Sequence, residues 1–402
     1  MRWVLSTLVV LLLCNGTTSC VNASTNVSAI SAVRCVDRCA PDTSNSYEVF
    51  VPERMKPDQK FPLLVIIDPH GSGKTALEKF RPAADRFPAV LVASNLIKNN
   101  FAGYENALHV LIEDVRAKYP VGEVAFLSGF SGGARMAIGY AMNHPVNGLI
   151  LSGALAGPEE LRKVGCPVFS ISGTDDFNFM ETAQYLFQET AIPANLKIEL
   201  IESSHSWPDS LILADAFGLI RLSCPEAEAL SASKISLKEF DRLQLKKMVM
   251  LKSQNEWIKA LLVARNLSTT APFNKEKAFS ANYETLKVSP EYAAQLNRLT
   301  ECLRLESQVR QPYMDAFHTK SLEWWKNELA SVQNQIQTAP DPFTRDTYRR
   351  IKGFWGIVCY SLCQQAVQEH NTQSLNQIVS IYRILEPENP DMMHFTSLLT
   401  AQ

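Results

Sequence analysis

A serine, an acid and a histidine between positions 131 and 205 have the types and order needed for nucleophilic catalysis. Ser131 stands in Gly129-Phe130-Ser131-Gly132-Gly133, a G-x-S-x-G pattern. His205 stands in Ser203-Ser204-His205-Ser206-Trp207-Pro208, and Asp175-Asp176 lies between them, after Gly173-Thr174. A free serine hydroxyl is a poor nucleophile at neutral pH, so it needs a base. An imidazole can take its proton, and a carboxylate behind the imidazole fixes the tautomer and stabilises the charged ring. The order serine, acid, histidine is one in which this constellation recurs. The residues alone leave Asp175 and Asp176 open as the acid.

Acyl chemistry also needs two N–H donors for the oxyanion. Gly132, the residue after the nucleophile, is expected to supply one. The second is expected from Gly71 and Ser72 in His70-Gly71-Ser72-Gly73, where glycine lets backbone approach a substrate closely. His70 and Trp207, beside the expected site, are the expected substrate contacts. Gly71-Ser72-Gly73-Lys74-Thr75 imitates a phosphate loop. That motif needs a glycine five positions before Gly73, where Asp68 would instead repel phosphate. Nine cysteines include no CxxC pair and no accompanying histidine cluster, so no metal and no cofactor is expected. Cys35 and Cys39 are close enough in sequence to pair locally after export. Cys359 and Cys363 sit one helical turn apart, where a bridge is awkward, and Cys166 and Cys302 read as small buried residues.

These residues need elements to position them. Tyr47, Val49 and Val51 alternate as in a half-buried strand. Leu63 to Ile67 is a continuous apolar run, as in a strand buried on both faces. Ala89 to Ala93, Val124 to Leu127, Leu149 to Leu151, Val168 to Ile171 and Leu196 to Ile201 read the same way. Helical stretches fall near 74–86, 103–118, 133–143 and 178–191. This alternation predicts an α/β fold with a doubly wound, mostly parallel sheet. Ser131, the Asp175-Asp176 pair and His205 then all lie just past strand carboxyl ends, where sites form in open α/β sheets. After Cys224-Pro225 helical periodicity takes over, as in Phe240, Leu243, Met248 and Leu251 or Tyr348, Ile351, Trp355, Val358 and Leu362. Breaks at Thr269 to Pro272, Ser289-Pro290, Ala339 to Pro342 and Pro387 to Pro390 divide this all-α half into some six to eight helices.

The 402 residues carry 39 Lys+Arg and 41 Asp+Glu, a net charge of −2, with 46% hydrophobic and 20% charged residues. That is a globular composition, and the even charge argues against a nucleic-acid partner. No apolar run beyond the N-terminus reaches the ~20 residues of a membrane span. Met1-Arg2 followed by the apolar Trp3 to Leu13 reads as an export signal. Cleavage after Val21-Asn22-Ala23 competes with a lipoprotein signal that would leave Cys20 lipidated, the one membrane attachment the chain suggests. The chain is thus expected to be secreted, periplasmic or held at the cell surface. Asn26-Val27-Ser28 and Asn266-Leu267-Ser268 are glycosylation sequons. The expected division is a signal over 1–23, a catalytic domain over 40–224 and a helical domain over 225–402.

Residues 46–222 resemble the α/β-hydrolase superfamily, and within it the secreted polyhydroxybutyrate depolymerase and feruloyl esterase branch. The strand from Tyr47 to Pro52 leading to Pro62–Gly71, the elbow with Ala134-Arg135-Met136, and His205-Ser206-Trp207-Pro208 carry this resemblance. The branch's Gly-Gly before the histidine is Ser203-Ser204 here, and its Leu-His-Gly is Asp68-Pro69-His70-Gly71. The resemblance implies that Asp176, three residues after Gly173, is the acid. It further implies a serine esterase whose substrate carries ester groups on polysaccharide or is a small polyester. A serine peptidase with the same triad, and a hydrolase-like scaffold that binds a partner through its helical half, are the alternatives. The resemblance says nothing of 225–402, where Tyr382 to Pro390 resembles the end of a tetratricopeptide unit. The segment between Leu151 and Val168 is too short for the lid many such enzymes carry. Either the site is open to bulky substrates or the helical half supplies the missing wall, which Trp207 on the His205 loop and Trp324-Trp325 could form.

Overall fold

The computed structural model describes residues 33–53, 58–187, 192–230, 233–271, 273 and 277–400. The expected signal, Cys20 and the Asn26 sequon lie outside them. Eight strands form one sheet: β1 (Val33–Arg38), β2 (Ser46–Val51), β3 (Phe61–Ile67), β4 (Val90–Ser94), β5 (Val121–Phe130), β6 (Gly148–Ser152), β7 (Val168–Gly173) and β8 (Leu196–Ile201). Their order is β1-β2-β4-β3-β5-β6-β7-β8. β2 runs antiparallel to β1 and to β4, and the rest of the sheet is parallel.

The continuous apolar strands are explained by cover on both faces. Leu63, Val65 and Ile67 point into a core with α2 (Tyr104–Lys118), α3 (Gly132–Asn143), α4 (Pro158–Leu161) and α5 (Phe179–Phe187). Leu64 and Ile66 point to the opposite core, with α1 (Gly73–Arg86) and α6 (Ser210–Leu222). β1 and α6 escape the sequence reading for different reasons. β1 is an edge strand with no fully buried residue, so it has no apolar run. From Leu213 to Arg221 α6 is buried at every position but Asp215, so it shows no amphipathic stripe. Cys39 is a free buried thiol at the end of the extended β1, so the expected local bridge to Cys35 is absent.

Nine helices follow among the described residues: α7 (Pro225–Leu230), α8 (Leu237–Ser253), α9 (Trp257–Ser268), α10 (Lys277–Lys287), α11 (Pro290–Thr319), α12 (Leu322–Gln337), α13 (Pro342–Gln368), α14 (Thr372–Leu385) and α15 (Pro390–Thr400). Three of the four proline breaks are helix starts, at Pro290, Pro342 and Pro390. Ser289 caps α11 and Asp341 caps α13, each accepting an N–H of the first turn, with proline at the first helical position. α13, α14 and α15 have 27, 14 and 11 residues, so they do not form the even helix pair of a tetratricopeptide unit.

The apolar cores do not divide where the secondary structure changes. Phe240, Met248, Leu261, Leu267 and Phe279 of α8–α10 share the core of Leu64, Ile66 and Phe217. A second helical cluster, built around Phe317, Trp325, Trp355, Cys359 and Tyr382, lies in α11–α15. α9 also covers the sheet's open edge at β8. Asn266 accepts from the Ile198 N–H at 3.1 Å and donates to its carbonyl at 2.8 Å, and Arg265 donates to the Leu196 carbonyl at 2.8 Å. One carboxamide thereby satisfies both backbone groups of an edge residue, the exposure that edge strands must manage. Asn266 is 3% exposed, so the second sequon is not an available acceptor. Asn266→Ala should strand both groups and lower the unfolding free energy by about 2–4 kcal/mol. Urea denaturation checks this, and a loss below about 0.5 kcal/mol would count against the edge-capping role.

Candidate active site

β5 ends at Phe130 and α3 begins at Gly132, so Ser131 occupies the turn between them. Its φ of 52° lies in the left-handed region, a strained conformation for a residue with a side chain. The flanking glycines make the turn feasible. A Cβ on Gly129 would sit 2.2 Å from the Gly133 carbonyl carbon, and one on Gly133 would sit 2.1 Å from the Ile67 carbonyl oxygen. Ser131 is tied back to the sheet by its N–H, which donates to the Ser152 carbonyl at 2.8 Å.

The loop after β8 brings His205 to this serine, with Nε2 2.8 Å from Ser131 Oγ. The loop after β7 brings Asp176 to the other side of the ring. Both carboxylate oxygens lie 2.9 Å from His205 Nδ1. Asp176 is 1% exposed, and its Oδ1 also accepts the Asn178 N–H at 2.8 Å, which fixes the carboxylate. The rings of Phe130 and Phe177 lie 4.7 and 4.2 Å from the imidazole, measured between centroids, and restrict its tilt. Asp175 is turned away, with Oδ2 3.4 Å from Arg349 Nη1. Of the two candidate acids, only Asp176 meets the histidine.

The loop after β3 departs from expectation. The Gly71 N–H donates to the Asp68 carbonyl at 3.1 Å, and Gly71 has a φ of 73°. The Ser72 and His70 N–H groups donate to Asp68 Oδ1 at 3.2 and 2.9 Å. The backbone donors expected from Gly71 and Ser72 are therefore engaged by Asp68. Asp68 Oδ2 accepts from Trp207 Nε1 at 2.8 Å. Trp207 packs against Phe80 and Phe130, at centroid distances of 6.3 and 5.3 Å. It braces the two loops and does not line the cavity, contrary to the expected substrate contact. Gly132 opens α3 as expected, and the Asn99 carboxamide lies against it. A Cβ there would fall 1.8 Å from Asn99 Oδ1. The Asn99 N–H donates to the Pro69 carbonyl at 2.8 Å, joining the loops after β3 and β4.

Ser131 and His205 open into a cavity of about 900 Å³. His70, Asn99 and Phe177 line it on the sheet side. The opposite wall is helical, with Gln337 of α12, Arg349, Lys352 and Tyr360 of α13, Glu386 and Asp391. The helical half thus does wall the site, but not through the tryptophans. Trp325 is fully buried and Trp324 packs against it and Tyr313. The spacing of Arg349, Lys352, Gly353, Gly356 and Tyr360 was a usable signal, a polar and small stripe along one face of a long helix. Among the described residues no group of three or more His, Cys, Asp or Glu side chains could hold a metal ion.

The strand order, the antiparallel start and the strand–serine–helix elbow after β5 decide the architecture. This is the α/β-hydrolase fold. No family model and no curated protein sequence matches the chain. Solved structures similar to it cover about half of its length. A fluorophosphonate-binding serine hydrolase of Staphylococcus aureus has a TM-score of 0.41 at 11% identity, over 47% of this chain and 98% of that one. The feruloyl esterase module of Clostridium thermocellum gives 0.39 at 15%, over 47% and 87%. A lidless α/β serine hydrolase of Xanthomonas campestris gives 0.34 at 20%, over 48% and 94%.

Within this hydrolase segment, burial and the nearby Asp346 push the Asp175 carboxyl above its ordinary range. Ionising a group whose folded pKa is raised costs folding free energy. That cost appears as pH rises from the unfolded pKa through the folded one. Asp175→Asn removes it, so the variant's melting temperature relative to wild type should rise as the pH climbs above the ordinary carboxylate range. A flat or falling difference over that climb, read by calorimetry, would contradict this assignment.

Proposed function

We propose that this chain is a serine hydrolase that cleaves carboxylic esters through an acyl-serine intermediate. The observation that carries the reading is the unbroken line from Ser131 Oγ through His205 to buried Asp176, open to a large cavity. In this scheme His205 Nε2 takes the serine proton as Oγ attacks the ester carbonyl. The imidazolium is stabilised by Asp176 and returns the proton to the departing alcohol. Water then repeats the sequence on the acyl-serine, with His205 again the base. In the same scheme the Gly132 N–H, next to the nucleophile, would donate to the developing oxyanion. The Gly71 and Ser72 N–H groups are engaged, and the Asn99 atom nearest Gly132 is its acceptor Oδ1, so Gly132 is the donor this scheme assigns.

The cavity supports a polar substrate. Gln333, Gln337, Asn389, Arg349 and Tyr360 offer hydrogen bonds and an aromatic face beside the apolar Phe177, Ile336 and Ile357. An ester on a hydroxyl-rich carrier such as a polysaccharide suits such a lining better than a fatty acyl chain. Export through the N-terminal signal, with or without a lipid on Cys20, would bring the enzyme to such a substrate. A peptidase is the second reading, favoured by Glu386 and Asp391, two carboxylates on the far wall that could hold a substrate ammonium.

A panel of matched nitrophenyl esters and nitroanilides, with and without a free amine, separates the two. Ester turnover is expected, falling about 10⁴-fold or more in Ser131→Ala and His205→Ala and about 10⁴-fold in Asp176→Asn. Faster anilide cleavage that requires the amine would favour the peptidase. No turnover of either class would leave the binding scaffold as the better account.

A further inference from the structure

The four residues 174–177, which carry Asp176, are gripped from outside the sheet. The Arg350 guanidinium is 1% exposed and donates to the Thr174 carbonyl and, at 2.7 Å, to Glu306 Oε2. Glu306 is fully buried and accepts a second arginine, Arg310, at 2.7 Å. Arg310 donates in turn to the Phe177 carbonyl at 3.0 Å. The Thr174 hydroxyl donates to Asp346 Oδ2 at 2.8 Å, and Arg349 reaches Asp175. Every member of this loop except Asp176 is therefore bonded to α11 or α13, and the Asp176 carboxylate is left to His205 and Asn178.

A buried arginine–glutamate–arginine cluster is a weak source of stability, because desolvation offsets most of the attraction. Its distinguishing property is fixed geometry. Two guanidinium groups share one carboxylate, and each carries one carbonyl of the acid loop. The planar fork of arginine can serve two acceptors at once, which a lysine ammonium on its flexible stem cannot do in the same geometry.

We propose that Arg350, together with Glu306 and Arg310, is a positioning residue for the triad, so that catalysis in the α/β segment depends on the helical region. This rests on the function proposed above. Through Thr174 and Phe177 the cluster sets where Asp176 stands, and so how His205 presents Nε2 to Ser131. The helical region then has two parts in the same site, a cavity wall and a clamp on the acid loop.

The test uses the full chain with Arg350→Lys, which keeps a cation beside Glu306 but loses the second arm. Nitrophenyl-ester kcat should fall about a hundredfold with KM changed less than about threefold, as expected for a misplaced catalytic group. The low-field proton resonance of the His205 Nδ1–H, which reads the Asp176 bond without turnover, should shift or broaden. Arg298→Met is the control. It breaks the 3.0 Å pair with Asp341 that also joins α11 to α13 but touches no loop residue, and should leave kcat and the resonance unchanged. A folded Arg350→Lys with wild-type kcat and an unchanged resonance would overturn the proposal. Should Arg350→Lys not fold, Arg310→Lys, which loses the Phe177 carbonyl from a partly exposed side chain, reads the same quantities, with a kcat loss of about tenfold expected and none overturning it. If the wild type itself turns over no ester, the function reading falls, and the resonance alone decides the positioning role.

Discussion

A serine, a histidine and an aspartate from three separate loops must meet within hydrogen-bond distance, and the rest of this structure depends on that constraint. Ser131, Asp176 and His205 follow β5, β7 and β8, three strands of the parallel part of the sheet. The parallel register sends all three loops to one edge. Register alone does not bring side chains to 2.8 or 2.9 Å, and each loop is locked by a different device. The serine is held by a strained turn between two glycines. The histidine packs against two phenylalanine rings. The acid loop is held by charged groups from helices that are remote in sequence.

The helical region is therefore hard to regard as an appendage. α8–α10 fill one face of the sheet and close its β8 edge through Asn266 and Arg265. α11 and α13 grip residues 174–177, while α12–α15 supply the far wall of the cavity. In a fold whose short β6–β7 connection leaves no room for a lid, the wall comes from the other end of the chain. The bonds that hold the acid loop and the side chains that would meet a substrate lie on the same helix, α13. A substrate that moves α13 would thereby act on the position of Asp176.

What the sequence made legible was local. The glycine spacing around Ser131, the apolar runs of β3–β8 and the positions of Asp176 and His205 after their strands are short-range patterns, and each appears where its spacing puts it. Asp68 shows in the sequence only as a charge that would repel phosphate and as a departure from the Leu-His-Gly of the resembled branch. Its grip on three backbone N–H groups and on Trp207 depends on a loop conformation that composition does not encode. Trp207 drew notice as a large aromatic beside His205, yet its indole N–H has a buried partner and its ring belongs to the packing. Asn99, Arg350 and Glu306 carry no local signature. Their partners lie far along the chain, and a charged residue in a helix ordinarily faces water. β1 and α6 were hidden by the same limit, one too exposed and the other too buried to show a period.

The central claim is that Ser131 is an activated nucleophile, and fluorophosphonate modification of the purified full chain tests it most directly, because it needs no knowledge of the substrate. With the modified peptide mapped by mass spectrometry, the account predicts a single adduct on Ser131 that is lost in His205→Ala. A folded protein that takes no label, or takes it elsewhere while Ser131 stays free, would contradict it.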